Sequence, residues 1–384
     1  MNNNLVKITF VGDIMCLQEQ NEAILRKYGN YDYRSTFHHV RSLFEDSDYV
    51  IGNLETPICN KELSNSPISF NTPPQFLDAI KDIGIKGLQT CNNHCLDRGL
   101  DGLIETIDQI SKRGFDHFGT YSKKYECDLQ NNVIDIAGLK VGFICCTYGT
   151  NSENNGNLLT EDALWHIDLL KKQNKKSRLQ WTPEMGPIIT KMIPDSVKAV
   201  AIDNLANQKF LASIQEKIKK TRELCDVLIV MPHIGGQYNP APGEYTKYAI
   251  KKLIEAGADM VIAGHPHVPL RTETINDVFV AYSLGNFCFT PGVGYYLPNL
   301  LAEYGIILHS YWNVNNKKLE KITFSVVKNV VESDGISYTY PVFDLYNLLE
   351  GRIAKEELCI ENEAVVNRFK GGAASVLPEF DYVI

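Results

Sequence analysis

The chain has 384 residues, 44% hydrophobic and 22% charged, the balance of a soluble globular protein with a large core. Its net charge of −8 argues against nucleic acid as the main partner, because phosphate binding depends on clustered Lys and Arg. No run approaches the roughly 18 consecutive apolar residues of a membrane span, and Met1-Asn2-Asn3-Asn4 leads directly into a strand without a signal-peptide pattern, so a cytoplasmic location is expected.

In chain order, the first strand runs through Ile8-Thr9-Phe10-Val11-Gly12 and stops at Asp13. Helical spacing follows over 35–46, with Phe37, Val40, Leu43 and Phe44 as its apolar face. Strand 49–52 stops at Asn53 and Glu55, and a polar loop runs from Thr56 to Thr72. Pro73-Pro74 opens a helix closing near Gly84, since proline suits a first helical turn. Strand 85–91 leads to Asn92, Asn93 and His94, and helix 100–113 carries Leu103, Ile104, Ile107 and Ile110. Residues 133–144 predict a hairpin turning at Ala137-Gly138.

Residues 150–204 break this alternation. A polar stretch over 151–157 precedes the basic cluster Lys171 to Arg178 and a Trp- and Pro-containing piece over 181–187. An insertion of this length reads as a lid, a binding loop or decoration. The basic cluster reads as a solvated face or an anion-guiding patch. Order returns with helix 206–222, a strand from Val227 that stops at His233, helix 244–256, and a strand from Met260 that stops at His265-Pro266-His267. A further strand, from Val278, stops at Asn286. Residues 300–341 are β-rich and 342–384 are mixed. The expected α/β organisation is one catalytic domain over 5–295, with an annex over 296–384 packed on it. Ten scattered cysteines without a CxxC pair predict reduced thiols.

Six apolar runs thus end with the same polarity, each at a side chain able to bind metal. Ligands in open α/β sheets sit beyond the carboxyl ends of the strands, so the fold itself would gather these distant residues. Imidazole and carboxylate donors without thiolate suit manganese, iron or zinc. Asp13, Glu55, Asn93, His233, His265 and His267 are enough for two divalent ions, with Glu55 as the candidate bridge. Such a pair generates hydroxide at neutral pH and clamps both oxygens of an in-line phosphoryl displacement. Taken singly, Asp13 is a loop acid, His233 a core histidine and Asn53 a turn former. The set carries the inference. His38-His39, His117, His166 and His309 lack any ligand-like context.

The motifs Val11-Gly12-Asp13-Ile14-Met15, Gly52-Asn53-Leu54-Glu55, Asn92-Asn93-His94, Gly264-His265-Pro266-His267 and Tyr282-Ser283-Leu284-Gly285-Asn286-Phe287 resemble, in order, those of the CapA capsule-synthesis family. That family is associated with bacterial poly-γ-glutamate synthesis and is similar to calcineurin-like metallophosphoesterases. The resemblance implies a four-layer metallophosphoesterase-like sandwich of two mixed β-sheets flanked by helices, around a two-metal centre. It implies Asp13 and His267 on one ion, Glu55 as bridge, and Asn93, His233 and His265 on the other. It places His94, next to Asn93, where a histidine protonates the leaving oxygen or steadies developing charge. Asn53, Asn92 and Asn286 would line the pocket. Met15 stands where general phosphoesterases carry a histidine, and Glu55 where they carry an aspartate. Ile234-Gly235-Gly236-Gln237-Tyr238 replaces the Trp and Glu that usually follow the fourth-motif histidine. The implied activity is metal-dependent phosphoester hydrolysis of an anionic small molecule or polyglutamate-like substrate. The alternatives are an accessory or binding protein that keeps the fold, and amide hydrolysis.

Overall fold

The computed structural model describes residues 4–61, 69–173, 205–292, 300–373 and 375–384. Most of the 150–204 insertion, including the 181–187 piece and all but the first residues of the basic cluster, lies outside the described residues. Strand β1 (Leu5–Ile14) is buried along all but its first residue, as a nearly continuous apolar run requires when both faces are covered. It pairs in parallel with β2 (Tyr49–Leu54), which is followed by β3 (Gly87–Gln89) and β4 (Asp116–Phe118). On its other side β1 runs antiparallel to β12 (Tyr304–Asn313), and β13 (Leu319–Val331) and β14 (Ser337–Pro341) continue outward. The C-terminal strands therefore extend the sheet that begins the chain.

The second sheet holds β5 (Val133–Ile136), β6 (Leu139–Thr147), β7 (Val227–His233), β8 (Met260–Ile262), β9 (Pro269–Ile275) and β10 (Val278–Leu284), in the order β5-β6-β7-β8-β10-β9. Its first hairpin turns at Ala137 (φ 51°) and Gly138 (φ 86°), the paired positive angles that match strand twist in a two-residue loop. Phe10, Ile51 and Phe118 of the first sheet pack against Val141, Phe143 and Ile229 of the second in one central core.

Helices complete four layers. α1 (Gln18–Tyr28), a 3-10 segment (Arg34–Leu43) and α2 (Gln75–Asp82) cover the outer face of the first sheet through Ile24, Phe37 and Phe76. α3 (Gly99–Lys112) flanks the β4 side, and α4 (Ser152–Asn155) is a single turn. α5 (Leu205–Arg222) and α6 (Glu244–Glu255) cover the second sheet through Leu211, Ile218, Ala249 and Leu253. α7 (Val342–Leu348) leads into α8 (Arg352–Lys370), whose Leu358, Val365 and Phe369 join the central core. The architecture is the two-sheet, helix-flanked α/β sandwich expected above. No helix among the described residues is long and apolar enough to cross a membrane. All ten cysteines are free.

Local differences have physical causes. The stretch expected as a helix over 35–46 is a 3-10 helix over Arg34–Leu43, a period at which Phe37, Val40 and Leu43, three apart, align on one face. The third strand is a short ladder, with Lys86 N donating to Val50 O and Thr90 N to Phe118 O on either side of it.

The crossing after β10 joins the sheets directly. After β10 the chain turns at Gly285 (φ 69°) and enters β11 (Asn286–Cys288), which pairs with β1 of the other sheet. The Gly285 carbonyl accepts from Asp13 N at 2.9 Å. This approach leaves no room on the other chain, since a Cβ at Gly12 would lie 2.0 Å from Gly285 O. A Gly12→Ala protein is therefore expected to lose about 1–3 kcal/mol of stability or more in denaturant melts. Gly149→Ala, where a Cβ meets nothing within 4 Å, is expected to change little. Equal effects of the two substitutions would contradict the crossing as the tight point.

Candidate metal centre

The carboxyl ends of both sheets open on one volume. Asp13 lies one residue before the end of β1, Asn53 one before the end of β2, and Glu55 directly follows β2. Asn92, Asn93 and His94 form the turn after β3. His233 closes β7, and His265 and His267 follow β8. Both of these histidines adopt positive φ, 100° and 58°, unusual for side-chain-bearing residues. Such backbone angles persist where the surroundings enforce them, and they cluster at functional sites. Asn286 opens β11 in register with Asp13. The fold thus brings together all ten residues singled out from the sequence.

Their contacts form one buried network. Asn53 Nδ2 donates to Asp13 Oδ1 at 2.8 Å and to Glu55 Oε2 at 3.2 Å, and lies 3.2 Å from His233 Nδ1. Asn92 Nδ2 in turn donates to Asn53 Oδ1 and Leu54 O, so Asn53 and Asn92 brace the carboxylates. Across the volume, His233 Nε2 is 2.8 Å from Asn93 Oδ1, 3.1 Å from His265 Nδ1 and 3.4 Å from Glu55 Oε1. His267 Nδ1 is 3.1 Å from both Asp13 Oδ2 and Asn286 Oδ1, and its Nε2 is 3.6 Å from Glu55 Oε1.

Two features fit a cation site. Asp13 Oδ2 and Glu55 Oε1 are buried and make no hydrogen bond of good geometry, although unsatisfied buried oxygens are costly. Ligand atoms of Asp13, Glu55 and His233 lie within 4.8 Å of one another, as do those of Glu55, His265 and His267. Glu55 belongs to both groups, the position a bridging carboxylate needs, although the histidines divide differently by direct contact, His267 with Asp13 and His265 with His233, each at 3.1 Å. Met15 contributes nothing to them, because its side chain packs with Phe70 and Phe289.

Burial and charge set the protonation states. For Asp13, burial pushes upward, but the His267 contact and nearby imidazoles outweigh it and hold the carboxyl at about 2. Glu55 is pushed up to about 8 by burial and by the Asp13 charge. Burial drives His233 down to about 3 and holds His265 well below the usual range, leaving both neutral. His267 resists its own burial because Glu55 and Asp13 favour the imidazolium, which raises it to about 9.

Residues not singled out from the sequence complete the surroundings of His94. Asp97 Oδ2 lies 2.6 Å from His94 Nδ1, and Phe70 stacks on the imidazole at 4.0 Å between ring centres. The His-x-x-Asp spacing was the available signal for Asp97, since a turn brings residues three apart together. Asn151 approaches His94 Nε2 from the start of the insertion, at 3.5 Å. Of the remaining histidines, His309 Nδ1 meets Thr9 Oγ1 and His166 Nδ1 meets Tyr121 O, both outside this network.

Comparison with known proteins identifies the family. The model of the bacterial capsule synthesis protein family PGA_cap matches residues 7–291. The chain belongs to that family. It is 27% identical over 299 residues to the PGA biosynthesis protein CapA of Bacillus subtilis (strain 168), covering 76% of this chain and 65% of that protein. It is also 27% identical over 296 residues to the capsule biosynthesis protein CapA of Bacillus anthracis, covering 76% and 61%. The chain thus spans less than two thirds of the length of these curated relatives. Among solved structures, one described as a novel phosphatase from Mycoplasma pneumoniae aligns with a TM-score of 0.46 and 14% identity, over 85% of this chain and 94% of that one.

The protonation states generate a test. With Glu55 raised to about 8 and His267 to about 9, each holds a proton at pH 7 in metal-free protein. A cation bound by both must displace those protons, so its affinity rises with pH. Manganese titrations between pH 6 and 8 are expected to tighten by up to about 100-fold per pH unit, the limit for two displaced protons. A pH-independent affinity would contradict the assignment.

Proposed function

We propose that the chain is a metal-dependent hydrolase of phosphoesterase type that acts on an anionic substrate, small or polymeric, in capsule synthesis. The observation carrying this reading is the pair of buried carboxylate oxygens without a well-formed hydrogen bond, Asp13 Oδ2 and Glu55 Oε1, which lie 3.1–3.6 Å from His233 and His267 nitrogens. Asp13 and His267 would hold one divalent ion, manganese, iron or zinc. Asn93, His233 and His265 would hold the second, with Glu55 shared. When bound, such a pair polarises the scissile centre and lowers the pKa of water.

The protein's own groups do the rest. Asn53 fixes Asp13 and Glu55 with one amide, so neither carboxylate swings away when a substrate enters. Asp97 accepts from His94 Nδ1–H, which fixes the tautomer and leaves Nε2 to face the site. When the ring carries a second proton on Nε2, His94 would give it to the departing oxygen as a general acid, the ring reverting to the neutral Nδ1–H form held by Asp97; otherwise it steadies the developing charge. Phe70 lies flat on the ring and keeps it from rotating. Family membership supports a capsule-related role, with a polyglutamate-like chain as one candidate substrate.

A second reading is an accessory protein that binds such polymers without turnover. It is favoured by Met15, which turns into the Phe70–Phe289 pocket and leaves that flank of Asp13 without a ligand.

Purified protein is expected to retain divalent metal and to cleave a generic phosphoester. His265→Ala is expected to lose both metal and activity. His94→Gln should keep its metal yet lose roughly 10²–10⁴ in kcat, and Asp97→Asn should fall between it and wild type. Element analysis alongside a phosphoester panel decides the matter. Full activity in His265→Ala contradicts the hydrolase, whereas bound metal with polyglutamate binding and no turnover favours the accessory reading.

A further inference from the structure

The start of the insertion carries a feature that metal binding does not use. Residues 150–157 lie against the loop bearing His94, and four asparagines occur within them: Asn151, Asn154, Asn155 and Asn157. Asn154 is exposed. Asn155 Nδ2 donates to Thr150 O at 2.9 Å and Asp97 Oδ1 at 3.3 Å, and Asn157 Nδ2 to Leu96 O at 2.7 Å. These two fasten the segment to the His94 loop. Gln173 Nε2 adds a bond to Thr150 Oγ1 at 2.6 Å.

Asn151 is different. It sits in the left-handed region (φ 49°, ψ 27°), and its backbone carbonyl accepts from Asn154 N and Asn155 N. Its side chain makes a single contact among the described residues, Nδ2 at 3.5 Å from His94 Nε2. An amide carries two N–H donors and a carbonyl acceptor. At least one donor therefore remains unused, on a half-buried side chain beside His94 Nε2, the ring nitrogen that Asp97 does not engage. His94 directly follows Asn93, whose Oδ1 lies 2.8 Å from His233 Nε2, which places this corner at the edge of the cation centre. Asparagine tolerates the left-handed conformation where most side chains do not, so the backbone can be kept in this shape while an amide is presented.

We propose that Asn151 is a substrate-contacting residue. Its Nδ2, next to His94 Nε2, donates to an oxygen of the phosphoryl group held in the centre. The assignment rests on the phosphoesterase reading above and deepens it, because a donor at this point favours substrates that present an oxyanion there.

The test titrates inorganic phosphate into manganese-loaded protein by calorimetry, comparing wild type, Asn151→Gly and Asn151→Asp. Glycine keeps the left-handed backbone and deletes the amide, whereas aspartate keeps the shape and replaces the donor by an acceptor. The phosphate Kd is expected to rise roughly 10-fold or more for glycine, the scale of one hydrogen bond to a charged group. It is expected to rise further for aspartate, with metal content unchanged in both. Wild type that binds no phosphate overturns the phosphoesterase reading and this inference together. Phosphate binding in wild type with an unaltered Kd in both variants overturns the role of Asn151 alone. Loss of bound manganese in both variants gives Asn151 a structural part instead and likewise overturns the proposal.

Discussion

The hydrogen bond from Asp13 N to the Gly285 carbonyl fixes where the two sheets meet, and the site depends on that meeting point. β1 ends in one sheet and β10 in the other, and Gly285 carries the chain across. Because the site-bearing strands β1, β2 and β3 are parallel in one sheet and β7, β8 and β10 in the other, their carboxyl ends open toward the same volume. Asp13, Glu55 and Asn93 arrive from one side, and His233, His265 and His267 from the other. Neither sheet alone would carry a site, since each supplies only half of the donors.

What those donors cost the protein explains why they are held so firmly. Two carboxylates and three imidazoles are removed from water, and isolated buried charges are unfavourable by several kcal/mol each. Without a cation the network compensates internally, with Asp13 ionised, His267 charged, Glu55 neutral and His233 and His265 neutral. Asn53, Asn92 and Asn286 supply the remaining hydrogen bonds. A pair of divalent ions would replace this arrangement by direct coordination. The asparagines first read as pocket lining thus act largely as braces.

Much of this was legible in the sequence, and for a definable reason. Strand termini at Asp13, Glu55, Asn93, His233, His265 and Asn286 are marked by an apolar run that stops abruptly, and strand polarity then does the gathering. The helix over 99–112 and the 133–147 hairpin were legible through apolar spacing and a Gly-containing turn. α1 was not, because its buried face is mostly Gln20, Asn21, Ala23 and Ile24, too polar to declare a stripe. The 3-10 geometry of 34–43 was hidden because a spacing of three also fits an α-helix over so short a span. Phe70 and Asn151 were illegible as partners of His94, since both reach it through loops whose course no local pattern specifies, whereas Asp97 carried a signal in its spacing of three from His94. The pairing of the C-terminal strands with β1 follows from long-range register, which composition does not encode.

The claim at the centre is that six side chains from opposite sheets share a pair of cations around Glu55. Anomalous scattering from a crystal grown with excess manganese tests it most directly. The account predicts two peaks bounded by Asp13, Glu55, Asn93, His233, His265 and His267, with Glu55 touching both. Manganese bound elsewhere, or absent from this volume while His267 stays paired with Asp13, would contradict it.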